Sequence, residues 1–413
     1  GVKRAPEAVM LANAGASSVD KFQFKLDWRV AAVEDKSRPQ NISVLGEAPQ
    51  GLAGATVLEE LPSSIEGPTT LLSFWKCEGE SPEQASAIGA WALEQLQWAQ
   101  NKDEVRLIWC TQNAIGIRPD DSVTGAPSSV VWGLGRVARN ENPDLDLRLI
   151  DFEDGNWVAA LGLEGEPECA VRGGEIFIPR LIQYRPTNNE SKVVQDGGVV
   201  CITGGLGALG RKVARHLVQA QGVTRLILTS RRGQGTPGAA QWVEELENLG
   251  AQVEIKSCDV SDLASVQKAF DNVDSLRGII HAAGILDDGV LSELTPERLN
   301  SVFASKISGA WNLHEVTKTR ELDFFVLFSS VASVIGNPGQ ANYAAANQYL
   351  ESLAFMRRSQ GLCAVSIAWG TWADGGMAAD LGDAEQNRMH RRGFSPLAEE
   401  EGLALLDRAM FDE

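Results

Sequence analysis

"VVCITGGLGALG", residues 199–210, decides the fold. A short apolar run that reads as a buried strand leads into glycines at 205, 207 and 210, and an amphipathic helical pattern follows. This is a G-x-G-x-x-G spacing set between strand and helix. Glycine is needed there because the backbone must turn sharply and let a pyrophosphate reach the free N–H groups of a helix start, where the helix dipole favours an anion. The same rhythm continues downstream: a helix to about Ala220, "RLILTSRR" (225–232), a helix to Leu249, "QVEIKSCDV" (252–260), another helix, then "GIIHAAG" (278–284). Strands and helices alternating at this spacing predict an α/β fold built on a doubly wound parallel sheet.

Upstream of the glycines, from Phe22 to about Arg185, short apolar runs ("NISVLG", "TTLLSFW", "VRLIWC", "LRLIDF") alternate with helix-like stretches ("SPEQASAIGAWALEQLQWAQN", "SSVVWGLGRVARNEN"). They predict a second α/β unit. A chain of 413 residues suits two domains. The polar, Gly-ended stretch "RPTNNESKVVQDGG" (185–198) supplies the junction. The expected organisation is a linker over 1–20, a truncated Rossmann-like structural unit over 21–190 and a catalytic unit over 191–413. A second glycine pattern, Gly133 to Ala138 in "VVWGLGRVAR", has no strand leading into it. It is read as close helix packing, and no nucleotide is expected in the first unit.

Composition narrows the function. An apolar content of 44% is globular, and a net charge of −18, spread over both halves, offers no basic face for nucleic acid. Six cysteines stand singly with no CxxC pair, which points to buried reduced thiols and a cytoplasmic compartment. The four histidines are far from one another and from cysteine, so no metal site is expected. No run approaches the length of a membrane-spanning helix. The opening "KRAPEAVMLANAGA" has an apolar run broken by Asn13, unlike a signal peptide, and a start at Gly1 reads as a piece of something longer.

Charge at the strand ends refines the cofactor. Arg231 and Arg232 follow the second strand with no carboxylate beside them, which suits a 2′-phosphate and so NADPH over NADH. Asp259 and Val260 stand at the next strand end, suited to an adenine edge. The small residues of "HAAG" (281–284) let a nicotinamide half pass close to the backbone.

The reaction residues centre on "GQANYAAANQYL" (339–350). Tyr343, followed by small residues on a helix, has the form of the acid in short-chain dehydrogenases, but the position four residues later, where those enzymes carry lysine, is Asn347. Taken together, "TGGLGALG", "SRRG", "HAAGILDDG", "FSSVASVIGNPGQANYAAAN" and "WGTW" resemble the ketoreductase domain of a modular type I polyketide synthase. The first half resembles its structural subdomain through "FKLDW", "VVWGLGRVARNENP" and "LIDFE". In that family lysine and asparagine have exchanged places. The resemblance implies Lys306, 37 residues before Tyr343, as the cation, with Ser330 and Asn347 completing the set. Tyr343 would donate a proton to the carbonyl oxygen, Ser330 would hydrogen-bond that oxygen, and Asn347 would fix Lys306 or a relay water. Lys306 would hold the nicotinamide ribose and lower the phenol pKa by ~1–3 units. Tyr349, on another face of the helix, is expected in the core.

The resemblance also implies a cofactor set: Thr203, Gly204, Gly205, Leu206, Gly207, Leu209, Ser230, Arg231, Arg232, Asp259, Val260, Ala282, Ala283, Gly284, Lys306, Ser329 and Tyr343. For stereocontrol it implies Leu286, Asp287 and Asp288, the triplet of B types that give a D-β-hydroxyl, together with Pro338 and Met377. Ile335 stands where A types carry tryptophan, and Ala345 where epimerising B types carry proline. The bland alternative for "LDDG" is a helix-start turn with Asp as cap. Residues 369–394 read as a lid. Arg388, Arg391 and Arg392 at its end suit a phosphopantetheine phosphate or an acidic carrier protein, against the plainer reading of a solvated helix face. The expected activity is NADPH-dependent reduction of a β-ketoacyl chain on an acyl carrier protein, among neighbouring synthase domains, with no nucleic acid and no membrane. Its rivals are a non-reducing scaffold or epimerase and a free-standing reductase of soluble ketones.

Overall fold

The computed structural model describes residues 22–31, 42–49, 52, 54–65, 67–77, 79–100, 102, 104–184, 194, 197–373 and 395–411. The expected linker over 1–20 and the junction at 190 and 191 lie outside the described residues, as do Met377, Arg388, Arg391 and Arg392.

The first half carries strands β1 (Phe24–Val30), β2 (Ile42–Leu45), β3 (Thr56–Leu58), β4 (Thr69–Trp75), β5 (Val105–Gln112), β6 (Asp146–Phe152), β7 (Glu168–Arg172) and β8 (Glu175–Gln183). Helices α1 (Pro82–Ala99) and α2 (Val130–Glu141) lie between them in sequence. The eight strands form one sheet in the order β1-β8-β7-β6-β5-β4-β2-β3. Its middle is parallel, whereas β8 runs antiparallel to both β7 and β1. Sequence patterning picks out β2, β4, β5, β6 and both helices and misses the β7–β8 hairpin that lies inside the edge strand β1. There Gly173 and Gly174 both take positive φ, the backbone of a two-residue hairpin turn, and Pro179 of β8, which has no N–H to give the ladder, stands opposite Trp28 of β1.

The second half supplies β9 (Val199–Thr203), α3 (Ala208–Gln219), β10 (Arg225–Ser230), α4 (Ala239–Asn248), β11 (Gln252–Ser257), α5 (Leu263–Phe270), β12 (Leu276–His281), α6 (Pro296–Phe303), α7 (Gly309–Thr317), β13 (Phe324–Ser330), α8 (Val331–Ile335), α9 (Ala341–Ser359), β14 (Val365–Trp369) and α10 (Glu399–Phe411). Its six strands are all parallel in the order β11-β10-β9-β12-β13-β14. This is the doubly wound arrangement, with its switch point between β9 and β12, where ligands bind beyond the carboxyl ends of the strands. Both expected α/β sheets are present.

The two halves share a core. Leu93 and Leu96 of α1 and Val130, Trp132 and Val137 of α2 belong to the same buried cluster as Leu299 and Phe303 of α6 and Tyr343, Ala345 and Tyr349 of α9. At Gly133 a Cβ would lie 2.4 Å from the carbonyl carbon of Ala344, so only glycine lets α2 approach α9 this closely. The reading of Gly133 as a packing residue therefore holds, and the helix it packs on carries Tyr343. A buried ion pair reinforces the contact. Arg136 meets Glu168 through Nη2 at 2.7 Å, and its Nη1 donates to Ser333 O and Gln348 Oε1, both at 2.6 Å. Burial works against both charges, yet Arg136 beside Glu168 holds that carboxyl below its usual range.

Candidate active site

The glycine turn has the shape its spacing implies. Gly204 sits at φ +67, where a Cβ would lie 3.0 Å from Ala283 Cα, and a Cβ on Gly210 would meet Gly204 O at 2.3 Å. The β9 turn is thus pressed between α3 and the small residues after β12. Gly207 caps α3 without a side-chain bond, which leaves the first N–H groups of that helix to a ligand. The cradle fits a pyrophosphate. Thr203 Oγ1 and His281 Nδ1, 2.7 Å apart, tie the ends of β9 and β12 together. Burial pushes His281 down to about 3, so it is neutral.

At the end of β10, Arg231 and Arg232 are exposed, and neither side chain has a hydrogen bond or ion pair among the described residues. Ser230 Oγ is 3.0 Å from Thr236 Oγ1 in the turn beside them. The Asp259 carboxylate is engaged locally, accepting from Ser261 N at 3.0 Å and Ser261 Oγ at 2.6 Å. Val260 is buried, and its carbonyl accepts from Asn312 Nδ2 at 2.9 Å.

Lys306 and Tyr343 come together. Lys306 is 2% exposed and Tyr343 6%, with Lys306 Nζ 5.5 Å from the centre of the phenol ring. The lysine is carried on a π-helical turn, Ala304–Ser308, between α6 and α7, and its Nζ donates to Phe328 O at 2.6 Å. Gly284 makes room for it, since a Cβ there would lie 2.8 Å from Lys306 Cε. Ser330 ends β13 and caps α8 by accepting from Ala332 N at 3.2 Å. Asn347, fully buried one turn after Tyr343, donates from Nδ2 to Tyr343 O at 2.8 Å. Its Oδ1 is buried with no hydrogen-bond partner among the described residues.

The protonation states differ from expectation. Burial pushes the Tyr343 phenol up to about 12, against hydrogen bonds to the Asn347 and Ser330 side chains that act downward. Burial likewise brings Lys306 down to about 7. The expected lowering of the phenol by Lys306 is not found: the downward pull on Tyr343 comes from Asn347 and Ser330, and desolvation, which acts on both Tyr343 and Lys306, exceeds it. The phenol keeps its proton at neutral pH, the form an acid must start in.

The Leu286–Asp288 triplet is stitched into its surroundings. Asp287 Oδ1 accepts from Arg298 Nε at 2.8 Å, and Asp288 Oδ2 accepts from Gln340 Nε2 at 2.7 Å. Neither caps a helix; Thr295 does that for α6. The bland alternative of an aspartate cap is thereby corrected. Leu286 and Pro338 are half-buried. Tyr349 is fully buried in the core, as expected. Sequence reasoning missed Asn342, which is fully buried and donates to Asp287 O at 2.8 Å, linking the triplet to the first turn of α9. It also missed Glu351, whose Oε1 accepts from Ser333 Oγ and, at 3.2 Å, from Ser329 Oγ behind Asn347. The available signal was a polar side chain on an otherwise small, apolar helix face.

Two family models match, "KR domain" over residues 198–374 and "Polyketide synthase extender module SpnB, Rossmann fold domain" over residues 26–181. The chain is 40% identical over 404 residues to "Polyketide synthase GfsA" of Streptomyces halstedii, which covers 93% of this chain and 5% of that protein. It therefore spans a small part of that relative's length. Among solved structures it is similar to "PlmKR1-Ketoreductase from the first module of phoslactomycin biosynthesis in Streptomyces sp. HK803" (TM-score 0.81, 32% identity, 94% of this chain and 91% of that one). It is also similar to an A1-type ketoreductase (TM-score 0.83, 30% identity, 95% and 91%). Among the described residues no helix is long and apolar enough to cross a membrane. Two matched models in the expected order, likeness over nine-tenths of solved relatives and a Rossmann fold with this tyrosine-centred constellation together place the chain among the ketoreductase domains of polyketide synthases, a family of oxidoreductases that reduce β-ketoacyl groups.

Proposed function

We propose that this domain uses NADPH to reduce the β-keto group of a polyketide thioester held on an acyl carrier protein, giving a D-β-hydroxyl product without epimerisation. The observation that carries the reading is the meeting of Lys306, Tyr343, Ser330 and Asn347 at the carboxyl end of the parallel sheet, from positions up to 41 residues apart in sequence. NADPH, when bound, supplies the hydride. Tyr343 gives its phenolic proton to the carbonyl oxygen as negative charge develops there, and the Ser330 hydroxyl donates a hydrogen bond to that same oxygen. Lys306, which reaches past Gly284, would hold the nicotinamide ribose. The unpartnered Oδ1 of Asn347 suits a proton-relay water that restores the phenol. Thr203 to Gly207 with Leu209 would hold the pyrophosphate, Ser230, Arg231 and Arg232 the 2′-phosphate, Asp259 and Val260 the adenine, and Ala282 to Gly284 with Ser329 the nicotinamide end.

The fold does not select the face of the ketone, since an A1-type ketoreductase superposes on it well. The D configuration rests on Leu286, Asp287 and Asp288, on Ile335 and on Pro338. The absence of epimerisation rests on Ala345. A carrier protein bearing a phosphopantetheine arm, neighbouring synthase domains and a cytoplasmic setting complete the proposal, as does a division into units at residues 21–190 and 191–413. The test is incubation with NADPH and a simple β-ketoacyl thioester, following loss of reduced-nicotinamide absorbance and resolving the alcohol by chiral chromatography. A predominantly L alcohol overturns the stereochemical reading, and no turnover overturns the reductase reading.

A further inference from the structure

Glu141, the last residue of α2, is placed against its own helix. A carboxylate at a helix C-terminus faces the negative end of the dipole, so its position needs another reason. The reason is a pair of backbone donors on two separate loops of the second half. Glu141 Oε1 accepts from Gly339 N at 2.8 Å, and Oε2 accepts from Leu291 N at 2.8 Å. One loop follows the Leu286–Asp288 triplet, and the other leads into Tyr343. The loops also touch each other directly. Gly289 N donates to Gly339 O at 2.8 Å, Gln340 Nε2 reaches Asp288 at 2.7 Å, and Asn342 Nδ2 reaches the Asp287 carbonyl at 2.8 Å. A second side chain of the first half grips the same turn from its other pole. Gln97 of α1 donates from Nε2 to Leu291 O at 2.8 Å and to Leu294 O at 2.9 Å.

We propose that Glu141, assisted by Gln97, is a positioning residue by which the first half sets the spacing between the triplet loop and the Tyr343 loop, and thereby how strictly one face of the ketone is presented to the phenol. Only a carboxylate serves both donors. It offers an acceptor on each oxygen, and hydrogen bonds to a charged acceptor are stronger than neutral ones. An amide of the same shape keeps one acceptor and sets an N–H₂ against the other backbone N–H. Neither Glu141 nor Gln97 touches the reacting atoms, so the effect passes through the loops. The inference rests on the proposed reductase reading but not on which hydroxyl configuration results.

The test is Glu141→Gln, with Gln97→Ala as the second variant. For each, the ratio of the two hydroxyl enantiomers, KM for a β-ketoacyl thioester, the Kd for NADPH and amide hydrogen exchange at Leu291 and Gly339 are measured. For Glu141→Gln the expected result is a fall in the enantiomer ratio of about tenfold, the scale of one lost hydrogen bond to a charged group. KM should rise, and the Kd for NADPH should stay within about twofold, because the glycine turn is unaltered. Exchange at one or both amides should quicken. Gln97→Ala should move the ratio in the same direction by less. A wild-type ratio and KM in folded Glu141→Gln, whatever its melting temperature, overturn the proposal by leaving Glu141 a purely structural role. Should Glu141→Gln not fold, an unchanged ratio in Gln97→Ala overturns it. An L product from the wild type would overturn the configuration reading alone, because the ratio is read and not its sign. With no turnover at all, the exchange rates still decide whether Glu141 holds the loops.

Discussion

Tyr343 and Lys306 are both nearly out of water, and desolvation moves each toward its neutral form: the phenol up to about 12, the amine down to about 7. Tyr343→Phe keeps the ring and removes the proton donor, so turnover should fall by at least about a hundredfold with NADPH binding unchanged, as read by absorbance and by nucleotide fluorescence titration. Lys306 adds a pH signature. Its folded pKa lies below its unfolded value of roughly 10.4, so between about 7 and about 10 the unfolded chain binds a proton that the folded chain has released. Stability therefore rises with pH across that window, and below it a fixed penalty remains. Urea unfolding at about pH 7 and about pH 9 should show the wild type gaining up to about 1.4 kcal/mol per pH unit relative to Lys306→Met; parallel curves for the two proteins would refute the buried amine. Arg231, exposed at the end of β10 and without a side-chain partner among the described residues, should matter only to a 2′-phosphate. Arg231→Ala should weaken NADPH binding about tenfold or more and leave NADH nearly unaffected, by isothermal titration. All three residues were legible in the sequence, Lys306 through family resemblance and not through its surroundings. What could not be read was the degree of burial, because that depends on everything folded around them.

At the scale of elements, two features place the chemistry. The π-helical turn Ala304–Ser308 inserts into the run from α6 to α7 and aims Lys306 at Phe328 O. The other is the contact of α2 with α9 through Gly133. Gly133→Ala would drive a methyl group into the Ala344 backbone, which cannot rotate away as a side chain can. It should destabilise the fold by about 1–3 kcal/mol and reduce turnover disproportionately, because Tyr343 is the residue before Ala344. Thermal melting and initial rates on one preparation check both; wild-type values for both would show that the helices tolerate separation. A packing role for Gly133 follows from the sequence, since no strand leads into the pattern. Its partner, more than two hundred residues away, does not.

For the molecule as a whole, the shared core makes the halves interdependent. Trp132, Leu93 and Leu96 on one side and Tyr349, Leu299 and Phe303 on the other lie in one buried cluster, and Arg136, Glu141 and Gln97 bridge the same boundary. The full chain should therefore unfold in one cooperative transition. Residues 191–413 produced alone should bind a hydrophobic dye and lose turnover, because the faces of α6 and α9 that meet the first half become exposed. Equal melting temperature and activity in the excised half would show that the first half is dispensable.

By itself the sequence determined the doubly wound sheet and the glycine cradle, because each depends on local periodicity and on backbone conformations that few residues can adopt. With the family resemblance added, it also named the tyrosine, serine, lysine and asparagine. The tertiary structure alone decided the β7–β8 hairpin of the first sheet, the burial of Tyr343 beside Lys306 and the clamp of Glu141 on two distant loops. Each arises from contacts between segments far apart in the chain, where burial, close approach and paired donors exist only once both segments are in place.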